Sequence, residues 1–234
     1  MSRLSACISR SKALVPGVLA VALLAACATT PPPPPPPPPP SVGPTAPGDA
    51  VLRDWRGVIT AAGRDRYQRR DAAWTLALQQ ARRQPGSGSL SGLGELIDPD
   101  AARPSVAPPV GNYRCRTVKL GSQGGEDGLG YVVYGWFACR IERTPAGLKF
   151  SKLTGSQRPS GLLFPENDRQ MIFLGSMSLA SEPAARSYGQ RPDRDMVAVV
   201  ERIGEHRWRL VIPWPANESN LDLIELVPAG PAGR

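Results

Sequence analysis

The chain has 234 residues, 41% of them hydrophobic and 21% charged, enough for one domain with a small appendage. Its 24 glycines and 27 prolines include one block of ten consecutive prolines; the remainder has ordinary globular composition, which excludes a wholly disordered or fibrous chain. The formal charge is +8, and no apolar run reaches the ~18 residues of a membrane-spanning helix.

The first 26 residues carry Arg3, Arg10 and Lys12, followed by an apolar stretch from Ala13 to Ala26. This basic start and short apolar run read as a signal peptide over 1–26. It ends Leu24-Ala25-Ala26-Cys27, which resembles a bacterial lipobox, so Cys27 is the expected lipidation site. The competing reading is a core helix that ends in cysteine. Residue 28 is Ala rather than Asp; by resemblance to the enterobacterial sorting rule this directs the protein to the outer membrane, lipid-anchored and facing the periplasm. Without the signal peptide 25 basic residues stand against 20 acidic ones, a net charge of +5, a poor argument for nucleic acid as a partner.

Cys7 leaves with the signal and Cys27 carries lipid, which leaves Cys115 and Cys139. In an oxidising compartment such a pair is most simply a disulfide, stabilising by about 3 kcal/mol through loop closure. Two cysteines and the single His206 are a poor ligand set, so neither a metal nor another cofactor is expected.

Residues 27–48 form the lipidated cysteine and a tether. Pro31 to Pro40 favour polyproline II at ~3.1 Å per residue, a semi-rigid spacer about 31 Å long. The competing view is a neutral low-complexity expansion. Residues 49–111 read as a helical segment and connector. Thr60 is an N-cap, Asp65 lies in the first turn, Arg82 and Arg83 in the last, and Pro85-Gly86 stops the helix. Tyr67, Trp74, Leu78 and Ala81 fall near one face, with Ala77 beside them. A short piece around 54–59 precedes this helix over 61–83. The region 49–84 holds eight Arg and four Asp.

From 112 to 228 the pattern turns to strands, with 229–234 as a tail. Strands are expected at 113–120, 131–142, 147–154, 160–165, 170–176, 196–203, 206–213 and 221–227. A Gly-rich ten-residue loop joins the first two. Gly204-Glu205 suits a type II′ turn, which pairs Ile203 with His206 and Val199 with Leu210. That register puts Val197, Val199, Trp208, Leu210 and Ile212 on the inner face and turns Arg202, Arg207 and Arg209 outward. Glu201 then falls opposite Trp208, at a barrel rim. The expected fold is mainly β with an N-terminal helical segment: a small antiparallel barrel or strongly curved sheet of about eight strands. The helix packs outside, through Trp74 and Leu78, on the strand 131–139, whose two faces are both apolar.

The segments Tyr113-Arg114-Cys115-Arg116-Thr117-Val118-Lys119-Leu120-Gly121, Trp136-Phe137-Ala138-Cys139-Arg140, 152–161, Glu201-Arg202-Ile203-Gly204 and Leu221-Asp222-Leu223-Ile224-Glu225-Leu226 resemble the domain of unknown function 4893 family. The resemblance runs from Trp55 to Val227. It implies an alphaproteobacterial envelope protein and adds architecture and address, with no catalytic residues to carry over.

Two clusters invite chemistry. The segment 154–161 gathers Thr154, Ser156, Gln157, Arg158 and Ser160, whose hydroxyls, amide and guanidinium suit an anionic or sugar-like ligand; the plainer reading is a turn, with Arg158 paired to an acid such as Glu142. Arg64, Arg66, Arg69 and Arg70 suit anionic lipid or glycan, or are simply a solvated helix face. No nucleophile with a matching histidine stands out. The leading expectation is a non-enzymatic envelope lipoprotein whose tethered β domain binds a ligand or another envelope protein, with the oligomeric state left open. A structural or assembly factor using the Arg-rich helix is the alternative, and a carboxylate hydrolase built on Glu201 the second.

Overall fold

The computed structural model describes residues 54–230, apart from 85–86, 126–127, 129 and 183–184. The signal segment, Cys27, the polyproline tether and the last four residues lie outside the described residues.

Asp54 caps a 3₁₀ turn, Trp55–Gly57, by accepting from the Arg56 N–H. Thr60 caps α1 (Ala61–Gln68), its hydroxyl accepting from Gly63 N at 3.1 Å. The expected single helix breaks at Arg69 (φ −91°, ψ 14°), and α2 follows over Arg70–Arg83. The break lets α1 lie on one strand while α2 crosses three others. A 3₁₀ segment, Ser87–Ile97, forms the start of the connector.

Nine strands follow: β1 (Gly111–Leu120), β2 (Tyr131–Val133), β3 (Phe137–Thr144), β4 (Gly147–Lys152), β5 (Gln157–Pro165), β6 (Gln170–Leu179), β7 (Asp195–Gly204), β8 (Arg207–Pro213) and β9 (Leu221–Pro228). All pairings are antiparallel, and β9 returns to β1, closing an eight-stranded barrel. The ninth, β2, pairs only β1, on the edge that β3 uses further along. The expected strand 131–142 is therefore interrupted at 134–136, where Tyr134 and Trp136 are exposed. The expected strand 160–165 starts earlier, at Gln157, so 157–159 belong to β5 and the turn is confined to 153–156.

Two cores follow from the pleat. The barrel interior holds Cys115, Cys139, Phe150, Phe173, Ala198, Val200, Leu210 and Leu226. Phe150 meets Phe173, and Tyr113 meets Trp208, edge to face at 5.8 and 6.1 Å. The disulfide joins Cys115 to Cys139 with Cα atoms 5.9 Å apart, tying β1 to β3 inside this core. The outer core lies between the barrel wall and the helices: Val118, Leu174, Val197, Val199, Val211 and Leu223 against Trp55, Trp74, Leu78 and Leu96.

The helices do pack outside, but on other strands than expected. α1 rests on β7, and α2 on β1, β8 and β9. The Gly204 turn also differs. A bulge between Arg202 and Gly204 leaves Glu205 and His206 as the turn, and Val199 pairs with Val211 while Val200 pairs with Leu210. Val197 and Val199 thus face the helices rather than the barrel lumen. Glu201 sits opposite Arg209 on the outer wall, buried rather than at a rim, and Arg209 is outward-facing yet fully buried.

Arg209 ties the helical layer and the connector to the barrel wall. Its guanidinium binds the Glu201 carboxylate at 2.7 and 2.8 Å and donates to the carbonyls of Glu95, Leu96, Asp98 and Pro99. The Trp74 ring covers it, with its centroid 5.1 Å from the guanidinium carbon. Trp74→Ala should then cost about 3–5 kcal/mol in urea denaturation, whereas Arg69→Ala, on a solvated pair with Asp65, should cost about 0.5 kcal/mol or less. Arg209→Leu leaves the Glu201 carboxylate buried without its cation and should cost about 3–5 kcal/mol by the same measurement.

Candidate functional site

An eight-stranded barrel is just wide enough to be filled by side chains or to hold one small ligand. One end here is filled and plugged. Tyr113 donates to the Pro109 carbonyl at 2.7 Å and Trp208 Nε1 to the Val106 carbonyl at 2.8 Å, so the segment entering β1 closes that end. Burial pushes the Tyr113 hydroxyl up to about 12.

The other end is open. A pocket of about 480 Å³ is lined there by Met177, Leu179, Met196 and Ile212, and by Lys119, Gln157 and Asp222. The pleat places these side chains on the inner face, and the same end layer holds Phe137 and Lys152. The loop from Trp214 to Asn220 and the stretch 193–195 form the rim. Trp214 and Glu218 both adopt positive φ, 47° and 74°, a strained backbone for residues other than glycine.

Charge is concentrated at this mouth. Lys119 Nζ lies 2.9 Å from Glu218 Oε2 and 3.4 Å from Asp222 Oδ2. Burial pulls the Lys119 amine down, but the two carboxylates outweigh it and hold its pKa above the ordinary value. Burial raises the Asp222 carboxyl despite Lys119 and the hydrogen bond from the Ser219 hydroxyl. Asp195 is likewise raised by burial, while accepting from Gly189 N at 2.9 Å. Lys152 differs from Lys119. It is buried, donates to the Gln157 carbonyl at 2.8 Å and stands 3.9 Å from the Phe137 ring centroid. Burial, with Lys119 and Arg158 adding repulsion, lowers its pKa to about 8. Perturbed groups gathered in a concave site are a physical mark of function.

Of the residues singled out in the 154–161 segment, Gln157 lines this pocket. Arg158 and Ser160 lie along an outer groove of about 600 Å³. There Arg158 donates to the carbonyls of Gly155, Ala180 and Glu182, not to Glu142, and Ser160 shares a 2.8 Å hydrogen bond with Ser151. Thr154 accepts from Ala138 N, and Ser156 is exposed in the turn, its carbonyl accepting from Ala180 N. Alternation along β5 turns Gln157 inward and Arg158 and Ser160 outward, while Thr154 and Ser156 stay in the turn before it, so the five do not converge. Among the helix arginines, Arg66 donates to the Asp195 carbonyl at 2.8 Å and reaches the mouth. Arg64 donates to the Arg56 carbonyl, Arg69 pairs with Asp65 and stacks on Trp214, and Arg70 covers Tyr67.

A larger groove, about 980 Å³, runs beside α2 and includes Glu201. Both Glu201 oxygens are engaged there, Oε1 by Gln170 and Oε2 by Arg209. Sequence reasoning missed Lys119, Lys152, Glu218 and Asp222. The signal was present: three of them are charges set among apolar neighbours in strands, and lysine occurs only four times in the chain.

Residues 55–226 match the family model described as Domain of unknown function (DUF4893). The chain belongs to the DUF4893 family. The match takes in both helices, the connector and every barrel strand but the last residues of β9, so the mouth pocket lies within the DUF4893 domain. No curated protein and no solved structure matches the chain.

The Lys152 amine has a stability signature. In the folded DUF4893 domain its proton leaves near pH 8, whereas the ordinary value is 10.5. Between these the unfolded chain binds more protons, so Lys152 makes stability rise with pH across that window. Lys119, with its pKa raised, acts in the opposite sense above 10.5. Urea midpoints of wild type and Lys152→Met, compared at about pH 7.5 and pH 10, should show the variant gaining relative stability at the lower pH and losing that advantage at the higher.

Proposed function

We propose that this protein is a lipid-anchored component of the bacterial envelope that acts by binding rather than by catalysis, its DUF4893 barrel taking a small ligand into the open mouth. The observation that carries the binding reading is the asymmetry of the barrel. One end is a packed core closed by Tyr113 and Trp208, and the other opens into a pocket walled by Met177, Leu179, Met196 and Ile212 with perturbed ionisable groups beside them. A pocket with apolar walls and a few convergent polar groups is the usual form of a small-molecule site.

The address rests on the sequence: the Leu24-Ala25-Ala26-Cys27 lipobox, Ala28 after it, and the polyproline tether that would hold the barrel away from an outer-membrane leaflet on the periplasmic side. The Cys115–Cys139 disulfide fits an oxidising compartment. An assembly role for the Arg-rich helix is less favoured, because Arg66, Arg69 and Arg70 are each tied to groups of the domain itself. A hydrolase built on Glu201 is less favoured because that carboxylate is already committed to Arg209 and Gln170.

Two experiments test the proposal. Cells expressing Cys27→Ala should release the protein from the membrane fraction; retention with the membranes would remove the anchor from the reading. Native mass spectrometry of the protein purified from its own envelope should show a co-purifying small molecule. Met196→Trp, which fills the mouth, should abolish that adduct while leaving the unfolding free energy from urea denaturation within about 1–3 kcal/mol of wild type.

A further inference from the structure

Resting on the reading of the barrel mouth as a ligand site, we propose that the ligand is an anionic amphiphile, with its acidic head group held by the Lys152 ammonium and its apolar tail against Met177, Met196 and Ile212. The argument begins with a charge that has no partner of opposite sign among the described residues. Lys152 is 7% exposed, and burying an ammonium without a counter-ion is costly. Among the described residues its amine donates to the Gln157 carbonyl and lies over the Phe137 ring; the residue also borders the outer groove beside Arg158 and Ser160, and it meets the mouth pocket through Gln157. The charged groups that bear on it from neighbouring elements, Lys119 on β1 and Arg158 on β5, are both cations.

The acids nearby are already engaged. Asp222 on β9 and Glu218 in the rim loop both bind Lys119. Asp193 is held at about 2, first by its hydrogen bonds from Arg191. Asp195 accepts from Gly189 N. Arg158 is occupied by three backbone carbonyls. A cationic ligand would therefore add repulsion beside Lys152, whereas an acid there would supply the missing counter-charge and feel Lys119 as well.

The tail follows from the walls. Met177 and Met196 are unbranched and flexible and, with the branched Ile212, continue inward toward Phe173 and Leu210; thioethers adapt to a flexible chain. Gln157 links the two halves of the site, since its carbonyl accepts from Lys152 while the residue lines the pocket. The competing role for Lys152 is purely structural, a tie that fastens the 153–156 turn to Gln157.

The test is calorimetric titration of the full chain carrying Cys27→Ala, at about pH 7 and again at about pH 9.5, with decanoate, decanol, decylamine and acetate as probes. Wild type should bind decanoate at least about tenfold more tightly than decanol or decylamine, since a hydrogen bond to a charged group is worth about 1.5–3 kcal/mol. Acetate, lacking the tail, should bind far more weakly. The preference should shrink at the higher pH as the amine loses its proton, Lys152→Met should erase it while binding decanol as wild type does, and Lys152→Arg should keep it. Decanol or decylamine binding as tightly as decanoate would overturn the anionic head group and leave the pocket reading standing. Binding of none of the ten-carbon probes would overturn both. A decanoate preference that survives in Lys152→Met would reduce Lys152 to the structural tie.

Discussion

The arrangement of this domain hangs on the guanidinium of Arg209. It projects from the outer wall of the barrel and is wholly buried, because α2 lies over it and the connector wraps beside it. A buried cation is tolerated only when its charge and its N–H groups are matched. Here one carboxylate, four carbonyls and one indole face do that work, and each comes from a different part of the chain: Glu201 on β7, the 95–99 stretch, and Trp74 on α2. The consequence is that helix, connector and barrel share one polar joint in addition to the apolar layer around it. A second outer network repeats the pattern, with the buried Glu225 held by Arg116 and Arg207, and Arg207 reaching on to Glu95.

This joint explains why both faces of β7, β8 and β9 are apolar. A solitary barrel would show alternation, lumen side apolar and solvent side polar. Here these strands, with the end of β1, have the barrel core on one side and the helical layer on the other. The stiffness of that double-sided wall contrasts with the mouth, where the rim is made of loops, two residues hold strained backbone, and charged side chains replace the aromatic filling.

The physics at the mouth turns on a difference between two lysines only a barrel layer apart. Lys119 is surrounded by Glu218 and Asp222 and keeps its charge. Lys152 has a carbonyl and a phenyl ring instead, next to two other cations, and its charge is expensive. Such an imbalance contrasts with the rest of the barrel, where buried ions are paired, as at Arg209 and Glu225.

Much of this was legible in the residues themselves. The helix cap at Thr60, the apolar stripe through Trp74 and Leu78, most strand positions and the Cys115–Cys139 pairing follow from local propensity, period and redox logic. Local rules then fail where an outer layer covers the sheet. The pattern of β7 is apolar at every position from Met196 to Val200, so alternation could not say which face was the lumen, and the bulge near Gly204 moved the register by one residue. The landing place of α2 was equally hidden, because the decisive partner was an arginine, a residue whose sequence context reads as solvent-facing. Lys119 and Asp222 are far apart in the chain, and only barrel closure, which brings β9 back to β1, sets them side by side at the open end. The sequence by itself determined the elements and the disulfide, since those depend on neighbours a few residues away; the tertiary structure alone decided which charges are buried together, because that depends on contacts between strands a hundred residues apart.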